Sequence, residues 1–225
     1  TSNRNTHAGG DVFSRYAVRV TLSDPYTFRA TAIANVATIL GAIALLALGL
    51  SVLVSAALGP VGSMVGQLAM LRGAQAVGIA GSDEKCGIVT REFGFRACVN
   101  YRQDGFLEAL RAALPDGADI YHDNVGGQML ADAFSVLRIN GTVILCGLME
   151  RYNDPAKSKP LDLALPILKR AVMKGLVVSD FEHRRPAFET AVAAGIRDGR
   201  IRFREDRAEG IGLASSNGGL VQFDP

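Results

Sequence analysis

The sequence predicts an α/β fold in which a doubly wound, open parallel sheet of about six strands is covered by helices on both faces. From about residue 52 onward, short β-branched apolar runs alternate with segments of helical period. The runs are apolar on both faces, as expected for parallel strands that helices cover. A glycine-containing turn joins the first run to the first helical segment, which is typical of a unit of strand, helix and strand.

Composition excludes several classes of protein. The chain has 225 residues, 48% hydrophobic and 20% charged, with a net charge of +2. This balance is typical of a globular domain and excludes a dedicated nucleic-acid surface. Cys86, Cys98 and Cys146 form no CxxC pair, so a disulfide framework and a four-cysteine zinc site are excluded. We therefore expect a cytoplasmic protein with no bound metal.

The elements follow from periodicity in chain order. Runs rich in β-branched residues are the predicted strands, at Val52–Ala56, Ala76–Ala80, Ala97–Asn100, Ala118–His122, Thr142–Cys146 and Leu176–Ser179. Segments of helical period between and after them are the predicted helices, at Val61–Arg72, Glu84–Phe93, Gly105–Leu114, Gln128–Leu137, Asp162–Met173 and Ala187–Asp198.

An apolar segment precedes this pattern. Ile39–Leu58 contains no charged residue and is long enough to cross a bilayer. A membrane-spanning helix would include Val52–Ala56, so it is incompatible with the first strand. Because the strand accounts for more of the later sequence, membrane insertion is the disfavoured alternative. We expect Ile33–Leu50 to be a helix packed on the sheet or on a second subunit.

The first turn carries glycines at positions 59, 62 and 66, directly after the first strand. A tight turn with free amides at a helix start suits a pyrophosphate. The spacing is GxxGxxxG, which differs from the GxGxxG fingerprint. The alternative is an ordinary strand-to-helix turn in which Gly66 serves helix packing.

The second strand ends in a segment that favours NADP over NAD. Gly81 and Ser82 stand at the strand tip, where an NAD site places an acid, and Lys85 follows closely. A hydroxyl and an ammonium group suit a 2′-phosphate. The alternative is that Ser82 caps a helix while Lys85 is solvated.

The motifs GPVGSMVGQLA, VGIAGSDEKC, VNY, DNVGG and VILCGLMERYN occur in this order. In them the chain resembles the zinc-independent medium-chain reductases, and most nearly the leukotriene B4 dehydrogenase / prostaglandin reductase group of NADP-dependent alkenal and enone reductases. The resemblance covers about residues 50 to 206. It implies a Rossmann-type domain and hydride transfer from NADPH to the C=C bond of an α,β-unsaturated aldehyde or ketone.

The resemblance also implies roles for individual residues. Those of the cofactor site are Gly59, Gly62, Ser63 and Gly66 at the pyrophosphate, Ser82, Lys85 and Tyr101 at the adenosine 2′-phosphate, and Asn124, Cys146 and Gly147 along the ribose and nicotinamide. Gly81, at the tip of the second strand, is also a predicted cofactor-binding residue. Asn217 resembles the asparagine of a C-terminal NxGK segment, although the sequence here is NGGL. Tyr152 matches a tyrosine beside the nicotinamide and the substrate.

Four side chains near the predicted site, those of Tyr152, Asn124, Asp123 and Cys146, have competing interpretations. Tyr152 could bond to the developing enolate oxygen or supply a proton, or it could be a loop tyrosine half-packed over the sheet. Asn124 could line the crevice or simply form a turn. We expect Asp123 to satisfy local backbone donors rather than act as a base. We expect Cys146 to be a small core residue rather than a nucleophile.

The resemblance also suggests domain limits. The family carries a GroES-like substrate domain of well over a hundred residues before the nucleotide domain, whereas only about 50 residues precede it here. We expect residues 1–50 to be an incomplete GroES-like portion with an apolar linking helix. Residues 51–200 would be the dinucleotide-binding domain, and residues 201–225 a tail returning toward the substrate domain. The alternative function is a catalytically silent NADP-binding module.

The expected partner is a small molecule with a conjugated carbonyl group. Because family members pair the edge strand of the nucleotide domain across a two-fold axis, the resemblance also suggests a homodimer through residues 176–179.

Overall fold

A computed structural model describes residues 49–153 and 159–204 of the chain. Both ranges belong to one compact unit. The predicted linking helix, most of the predicted GroES-like portion and Asn217 lie outside the described residues.

Six parallel strands form one sheet. They are β1 (Ser51–Val54), β2 (Gln75–Ala80), β3 (Ala97–Asn100), β4 (Ala118–Asp123), β5 (Leu137–Leu145) and β6 (Val172–Gly175). Their order in the sheet is β3-β2-β1-β4-β5-β6, and every neighbouring pair is parallel. The predicted doubly wound α/β fold is confirmed. The strand order reverses between β1 and β4, where such sheets open a ligand crevice at the carboxyl ends of the strands.

Helices cover both faces of the sheet. They are α1 (Pro60–Met70), α2 (Asp83–Arg91), α3 (Phe106–Ala113), α4 (Gly127–Val136), α5 (Met149–Asn153), α6 (Ala164–Lys169) and α7 (Arg185–Arg197), and a 3-10 helix at Val178–Arg184 precedes α7. The short α5 is not among the sequence-predicted helices.

Burial on both faces explains the uniformly apolar strands. Residues at odd positions of β1 and β4, such as Leu53 and Tyr121, pack with α3 and α4. Val52 and Val54 pack on the other side with α1 and α2. A third cluster joins α7 to α1 and includes Ile201.

The apolar segment Ile39–Leu58 is not a single helix, because its second half contains β1. The strand ends earlier than the predicted Ala56, since Ala56 adopts a left-handed conformation with φ 49° that a strand cannot contain. Residues 39–48 lie outside the described part. Among the described helices, none has the length and apolar character needed to cross a membrane.

The last two strands differ from their predicted bounds. β5 begins at Leu137 rather than Thr142, because Leu137 pairs with Ala118 ahead of an irregularity in the register. β6 is Val172–Gly175, so the predicted strand at 176–179 is wrong. The preceding helix ends at Lys169 because Arg170 adopts a left-handed conformation. The next strand, β6, therefore begins earlier in the chain than predicted. Residues from Val178 form the 3-10 helix instead.

Candidate functional site

The predicted site residues converge on one edge of the sheet. Because all strands are parallel, their carboxyl ends share that edge. The turn at residues 59–63 follows β1, Gly81, Ser82 and Lys85 follow β2, Tyr101 follows β3, Asn124 follows β4, and Cys146 and Gly147 follow β5. These segments flank the crevice between β1 and β4 or extend from it along the same edge.

In the part of the chain that the structure describes, no side chain caps the backbone amides of the turn after β1. Gly59 is the N-cap of α1 and provides no side-chain bond, Pro60 has no N–H group, and the first turn contains no acid. A Cβ on Gly62 would collide with the carbonyl oxygen of Ala56 and would lie 3.0 Å from Cα of Ala57. Glycine is therefore required for the close approach of α1 to this loop, and the helix start can accept an anion.

Gly66 has a different role from the one implied by the resemblance. It lies in the second turn of α1, and a Cβ there would overlap the ring of Phe95. Gly66 therefore allows α1 to pack closely on its neighbours and does not line the turn, which agrees with the alternative interpretation of this glycine.

The loop after β2 begins α2 with a side-chain cap. The Ser82 hydroxyl accepts a 3.2 Å hydrogen bond from the Lys85 amide, so the capping interpretation of Ser82 is confirmed. The neighbouring acid, Asp83, accepts a 2.9 Å bond from the side chain of Asn100 at the end of β3. This pairing turns the first acid of α2 toward β3 and ties the two loops together.

Tyr101 and Arg102 complete this part of the edge. The amide of Tyr101 donates to the carbonyl oxygen of Ala80 (3.1 Å). Nε of Arg102 lies 3.2 Å from the Tyr101 hydroxyl, and its guanidinium lies 5.5 Å from the ring centroid. Sequence reasoning did not include Arg102 among the candidate site residues. Its position directly after the tyrosine of the VNY motif was the signal that could have indicated it.

The DNVGG turn is organised by Asp123. One carboxylate oxygen accepts bonds from the Tyr121 hydroxyl (2.8 Å) and from the amides of Val125 and Gly126 (both 3.1 Å). Burial raises the pKa of Asp123 above its usual value, although these hydrogen bonds and one from Ser55 act to lower it. The expectation that Asp123 satisfies local donors is confirmed.

Asn124 connects β4 to β1 at the point where the strand order reverses. Its amide donates to the Ser55 hydroxyl (2.9 Å), and its side-chain Nδ2 donates to the Ser55 carbonyl oxygen (2.8 Å). Both residues are buried. Asn124 therefore fixes the floor of the crevice, as the turn-forming alternative expects. Sequence reasoning missed the role of Ser55. A polar residue directly after an apolar run was the signal that could have indicated it.

The segment after β5 is bound to the same turn. The amides of Cys146 and Gly147 donate to the carbonyl oxygen of Asp123 at 2.8 and 3.1 Å. A Cβ on Gly147 would lie 2.7 Å from the carbonyl oxygen of Asn124, which accounts for the glycine. Burial, with the nearby Asp123 charge, raises the pKa of the Cys146 thiol to about 11. The thiol is protonated at neutral pH, as expected of a residue that is not a nucleophile.

Tyr152 lies on α5, beyond this segment. Its backbone amide donates to the carbonyl oxygen of Leu148 (3.0 Å), and the residue is 65% exposed. It is more exposed than a tyrosine packed over the sheet would be. Glu150 of the same helix accepts a 3.1 Å bond from the Gln128 amide, which links α5 to the start of α4.

His122 is an unexpected buried group beside the DNVGG turn. It is fully buried on β4 between Val54 and Ile144 of the neighbouring strands. Neither ring nitrogen has a hydrogen-bond partner among the described residues. Burial lowers the pKa of His122 to about 3, so the ring is neutral at physiological pH.

The opposite edge of the sheet contains a separate cleft of about 710 Å³. Its lining includes Gln75 and Ala76 at the start of β2, and Arg96 just before β3. None of the predicted site residues lines this cleft. In the ranges that the structure describes, no cluster of three or more His, Cys, Asp or Glu residues could hold a metal ion.

Comparison with known proteins identifies relatives. Residues 60–194 match the family described as zinc-binding dehydrogenase. The chain is 38% identical over 169 residues to (+)-pulegone reductase of Mentha piperita, which covers 75% of this chain and 49% of the relative. It is 35% identical to the NADPH-dependent curcumin reductase of Escherichia coli (strain K12), covering 72% of this chain and 49% of the relative. The chain therefore spans about half the length of these curated relatives.

Solved structures agree with this relationship. The structure of CurA from Vibrio vulnificus in complex with NADPH has a TM-score of 0.74 and 32% identity, and the match covers 80% of this chain and 56% of that one. The resemblance to the medium-chain reductases is thus confirmed, and the chain belongs to the zinc-binding dehydrogenase family.

Proposed function

We propose that the chain is an oxidoreductase that binds NADP(H) along the carboxyl edge of its sheet and reduces the C=C bond of an α,β-unsaturated aldehyde or ketone. The observation that carries the proposal is the uncapped turn at Gly59–Gly62, on the same edge as Ser82, Lys85 and Tyr101. The relatives' names, which include a 2-alkenal reductase of Nicotiana tabacum and prostaglandin reductase 1 of Rattus norvegicus, supply the substrate class.

The pyrophosphate would lie at the start of α1. Gly59 leaves the helix start uncapped, and Gly62 lets the first turn approach Ala56 closely. The first-turn amides of a helix have no intrahelical partner, and here Ser63 is the first residue whose amide bonds back, to the Gly59 carbonyl oxygen at 2.9 Å. Because no acid lies in this turn, nothing there repels a diphosphate.

The 2′-phosphate would lie between the loops after β2 and β3. Gly81 keeps the strand tip free of a side chain, while Ser82, Lys85 and Tyr101 offer hydroxyl and ammonium groups. Arg102, in contact with the Tyr101 hydroxyl, adds a second cation. Asp83 is engaged by Asn100. Cationic and hydroxyl donors favour a phosphate over a free hydroxyl group.

The nicotinamide would lie over the floor formed by Asn124 and the Cys146–Gly147 segment. When bound, NADPH supplies the hydride. Tyr152 would donate a hydrogen bond to the substrate carbonyl oxygen, where negative charge develops, and would provide the proton for the α-carbon. The bonds from Asn124 to Ser55 hold the floor rigid, which keeps the reacting atoms in line.

The cofactor assignment is tested by titrating the chain with NADPH and with NADH while following fluorescence. We expect saturation and tighter binding of NADPH. Lys85→Ala should weaken NADPH about tenfold, the value of one charge-assisted hydrogen bond, and leave NADH nearly unchanged. Lys174→Ala, at an exposed position on β6, is the matched control and should change neither. Equal losses for both cofactors on Lys85→Ala would contradict the assignment.

A catalytically silent NADP-binding module is the second candidate. It is favoured by the 65% exposure of Tyr152, since a catalytic tyrosine is normally held by its surroundings. Steady-state oxidation of NADPH with simple enals and enones separates the candidates. Turnover that Tyr152→Phe reduces supports the reductase, whereas saturable binding without turnover supports the module.

We also propose domain limits and a dimer. Residues 51–200 would form the dinucleotide-binding domain, with a GroES-like portion at 1–50 and a returning tail at 201–225. A second copy would pair along β6, which has β5 as its one neighbour among the strands that the structure describes. Val172, Ile167 and Val177 beside this edge are 58%, 73% and 58% exposed. Sedimentation velocity should give a dimer that Val172→Lys converts to monomer; a monomeric wild type would contradict the proposal.

A further inference from the structure

Asn100 connects the two loops where we place the 2′-phosphate. It is the last residue of β3 and pairs in register with Ala80, the last residue of β2. The loop after β2 leads into α2 through Ser82 and Asp83, and the loop after β3 continues from Asn100 itself. Because the two strands end at the same level of the sheet, one side chain at position 100 reaches both loops.

Both ends of the Asn100 carboxamide are engaged. Its Nδ2 donates a 2.9 Å hydrogen bond to the Asp83 carboxylate, and its Oδ1 accepts a 3.0 Å bond from the Arg102 amide. A carboxamide carries both a donor and an acceptor, so it binds an acid and a backbone N–H group at once. An aspartate at this position would keep the acceptor but would repel Asp83, because an ionised carboxylate has no donor.

The contact with Asp83 concerns the acid nearest the tip of β2. Asp83 is the first residue of α2 and directly follows the cap, Ser82. In sites that take NAD, an acid in this region accepts a hydrogen bond from the ribose 2′-hydroxyl group. The same negative charge repels a 2′-phosphate. An Asp83 side chain that is free to swing toward the ribose would therefore disfavour NADPH relative to NADH.

The contact with Arg102 concerns the opposite charge. The Arg102 guanidinium lies beside the ring of Tyr101, with Nε 3.2 Å from the hydroxyl oxygen. By accepting a hydrogen bond from the Arg102 amide, Asn100 fixes the backbone that carries this cation. One side chain thus restrains both an acid and a cation in the two loops beside the proposed phosphate position.

We propose that Asn100 determines the preference of the chain for NADPH over NADH. It does so by holding the Asp83 carboxylate at the end of β3, where the acid cannot approach the 2′-phosphate. Asn100 acts through Asp83 and is therefore a positioning residue. The inference rests on the proposed function, because it assigns the selectivity of the same cofactor site.

Cofactor titration of single variants tests the selectivity. Asn100→Ala releases Asp83, so NADPH affinity should fall about tenfold, the scale of one like-charge contact that solvent partly screens. NADH has no 2′-phosphate, so its affinity should stay nearly unchanged. Gln103→Ala, at an exposed position of the same loop, is the matched control and should change neither affinity. An unchanged ratio of NADPH to NADH affinity in Asn100→Ala would overturn the inference and leave the proposed function in place.

A second substitution separates the released charge from a damaged loop. Adding Asp83→Asn to Asn100→Ala removes the released charge and should restore most of the lost NADPH affinity. Adding Glu84→Gln is the matched control, because it removes an equal charge from the next position of α2 while Asp83 stays ionised, and it should restore little. Equal recovery in the two double variants, or no recovery in either, would overturn the role of Asp83.

Hydrogen exchange tests the contact without reference to any cofactor. In the cofactor-free chain, the Arg102 amide should exchange faster in Asn100→Ala than in wild type, because its acceptor is removed. The Tyr101 amide, which donates to the Ala80 carbonyl oxygen, is the internal control and should be unchanged. Equal exchange at Arg102 in the two proteins would overturn the contact. A wild type that binds neither cofactor would contradict the proposed function, and the inference about selectivity would fall with it.

Discussion

The centre of the sheet and its β6 end are built differently. Between β1 and β4, Ser55, Asp123 and Asn124 are buried and linked by bonds of 2.8 to 3.3 Å. At β6 and the helix before it, Ile167, Leu168 and Val172 are 58% to 73% exposed. The crevice where we propose the cofactor is fully organised within the described residues. The β6 end presents apolar surface that a second protein surface could cover.

This difference suggests that the domain binds the cofactor with its own residues, whereas the β6 end requires a second protein surface to cover it. A buried, satisfied polar network rigidifies the groups around it, so the proposed cofactor cradle exists before any ligand arrives. Exposed apolar side chains in contiguous positions mark interaction surfaces. Changes in the crevice should therefore affect binding and stability strongly, and changes at the β6 end should affect mainly association.

The largest expected effect is at Gly62. Gly62→Ala places a Cβ against the Ala56 carbonyl and displaces the start of α1. NADPH affinity should fall about a hundredfold, because hydrogen bonds to a charged group are worth about 1.5–3 kcal/mol each. Gly175→Ala on β6 is the matched control, because a Cβ there meets no atom within 4 Å. Fluorescence titration measures both. An unchanged affinity for Gly62→Ala would remove the turn from the cofactor site.

Ser55→Ala tests the network itself. The change leaves the buried Asn124 amide without its acceptor and removes a donor from Asp123, which should lower the free energy of unfolding by about 3 kcal/mol. Urea denaturation gives the value. Ser179→Ala, at an exposed position of the 3-10 helix, should stay within about 0.5 kcal/mol. Similar values for the two variants would show that the crevice is no more tightly held than the β6 end of the sheet.

His122 predicts acid sensitivity. Its folded pKa of about 3 lies below the ordinary value of 6.5, so the unfolded chain binds more protons between these values and stability falls as pH falls through that window. Wild type should lose about 2 kcal/mol more than His122→Phe between pH 7 and pH 5. Denaturation at both pH values measures this difference. Parallel pH profiles for the two proteins would contradict a buried neutral ring.

The smallest expected effect is at the exposed end. Ile167→Ala removes a side chain that is 73% exposed, so at a concentration where the chain is monomeric it should change the free energy of unfolding by no more than about 0.5 kcal/mol. Denaturation at low protein concentration checks this. A loss of several kcal/mol would mean that this residue packs in the core and that the comparison between the central crevice and the β6 end is wrong.

Periodicity and glycine spacing predicted most of the fold, because β1, β2 and β4 are largely buried and have clear apolar runs. The misplaced strand at the β6 end has a local cause. Val177 and Val178 favour a strand by composition, but backbone pairing to β5 involves Val172–Gly175 and Leu176 instead. Pairing register depends on where the preceding helix ends, and Arg170 ends it in a conformation that no local pattern indicates.

The candidate site was predictable wherever a residue follows a strand. Gly62, Ser82 and Asn124 all occupy such positions, and parallel strands bring them to one edge. The partners of these residues were not predictable, since the bonds from Asn124 to Ser55 join positions 69 residues apart. Spacing along the chain carries no information about such contacts.

Hydrogen exchange with and without NADPH tests the central claim most directly, since it locates binding on the backbone. The account predicts slower exchange after NADPH addition at residues 57–63, 81–86, 100–102, 123–127 and 145–148, all at the carboxyl edge. Protection confined to the cleft at the opposite edge, around Gln75 and Arg96, would contradict it, as would an exchange pattern that NADPH leaves unchanged.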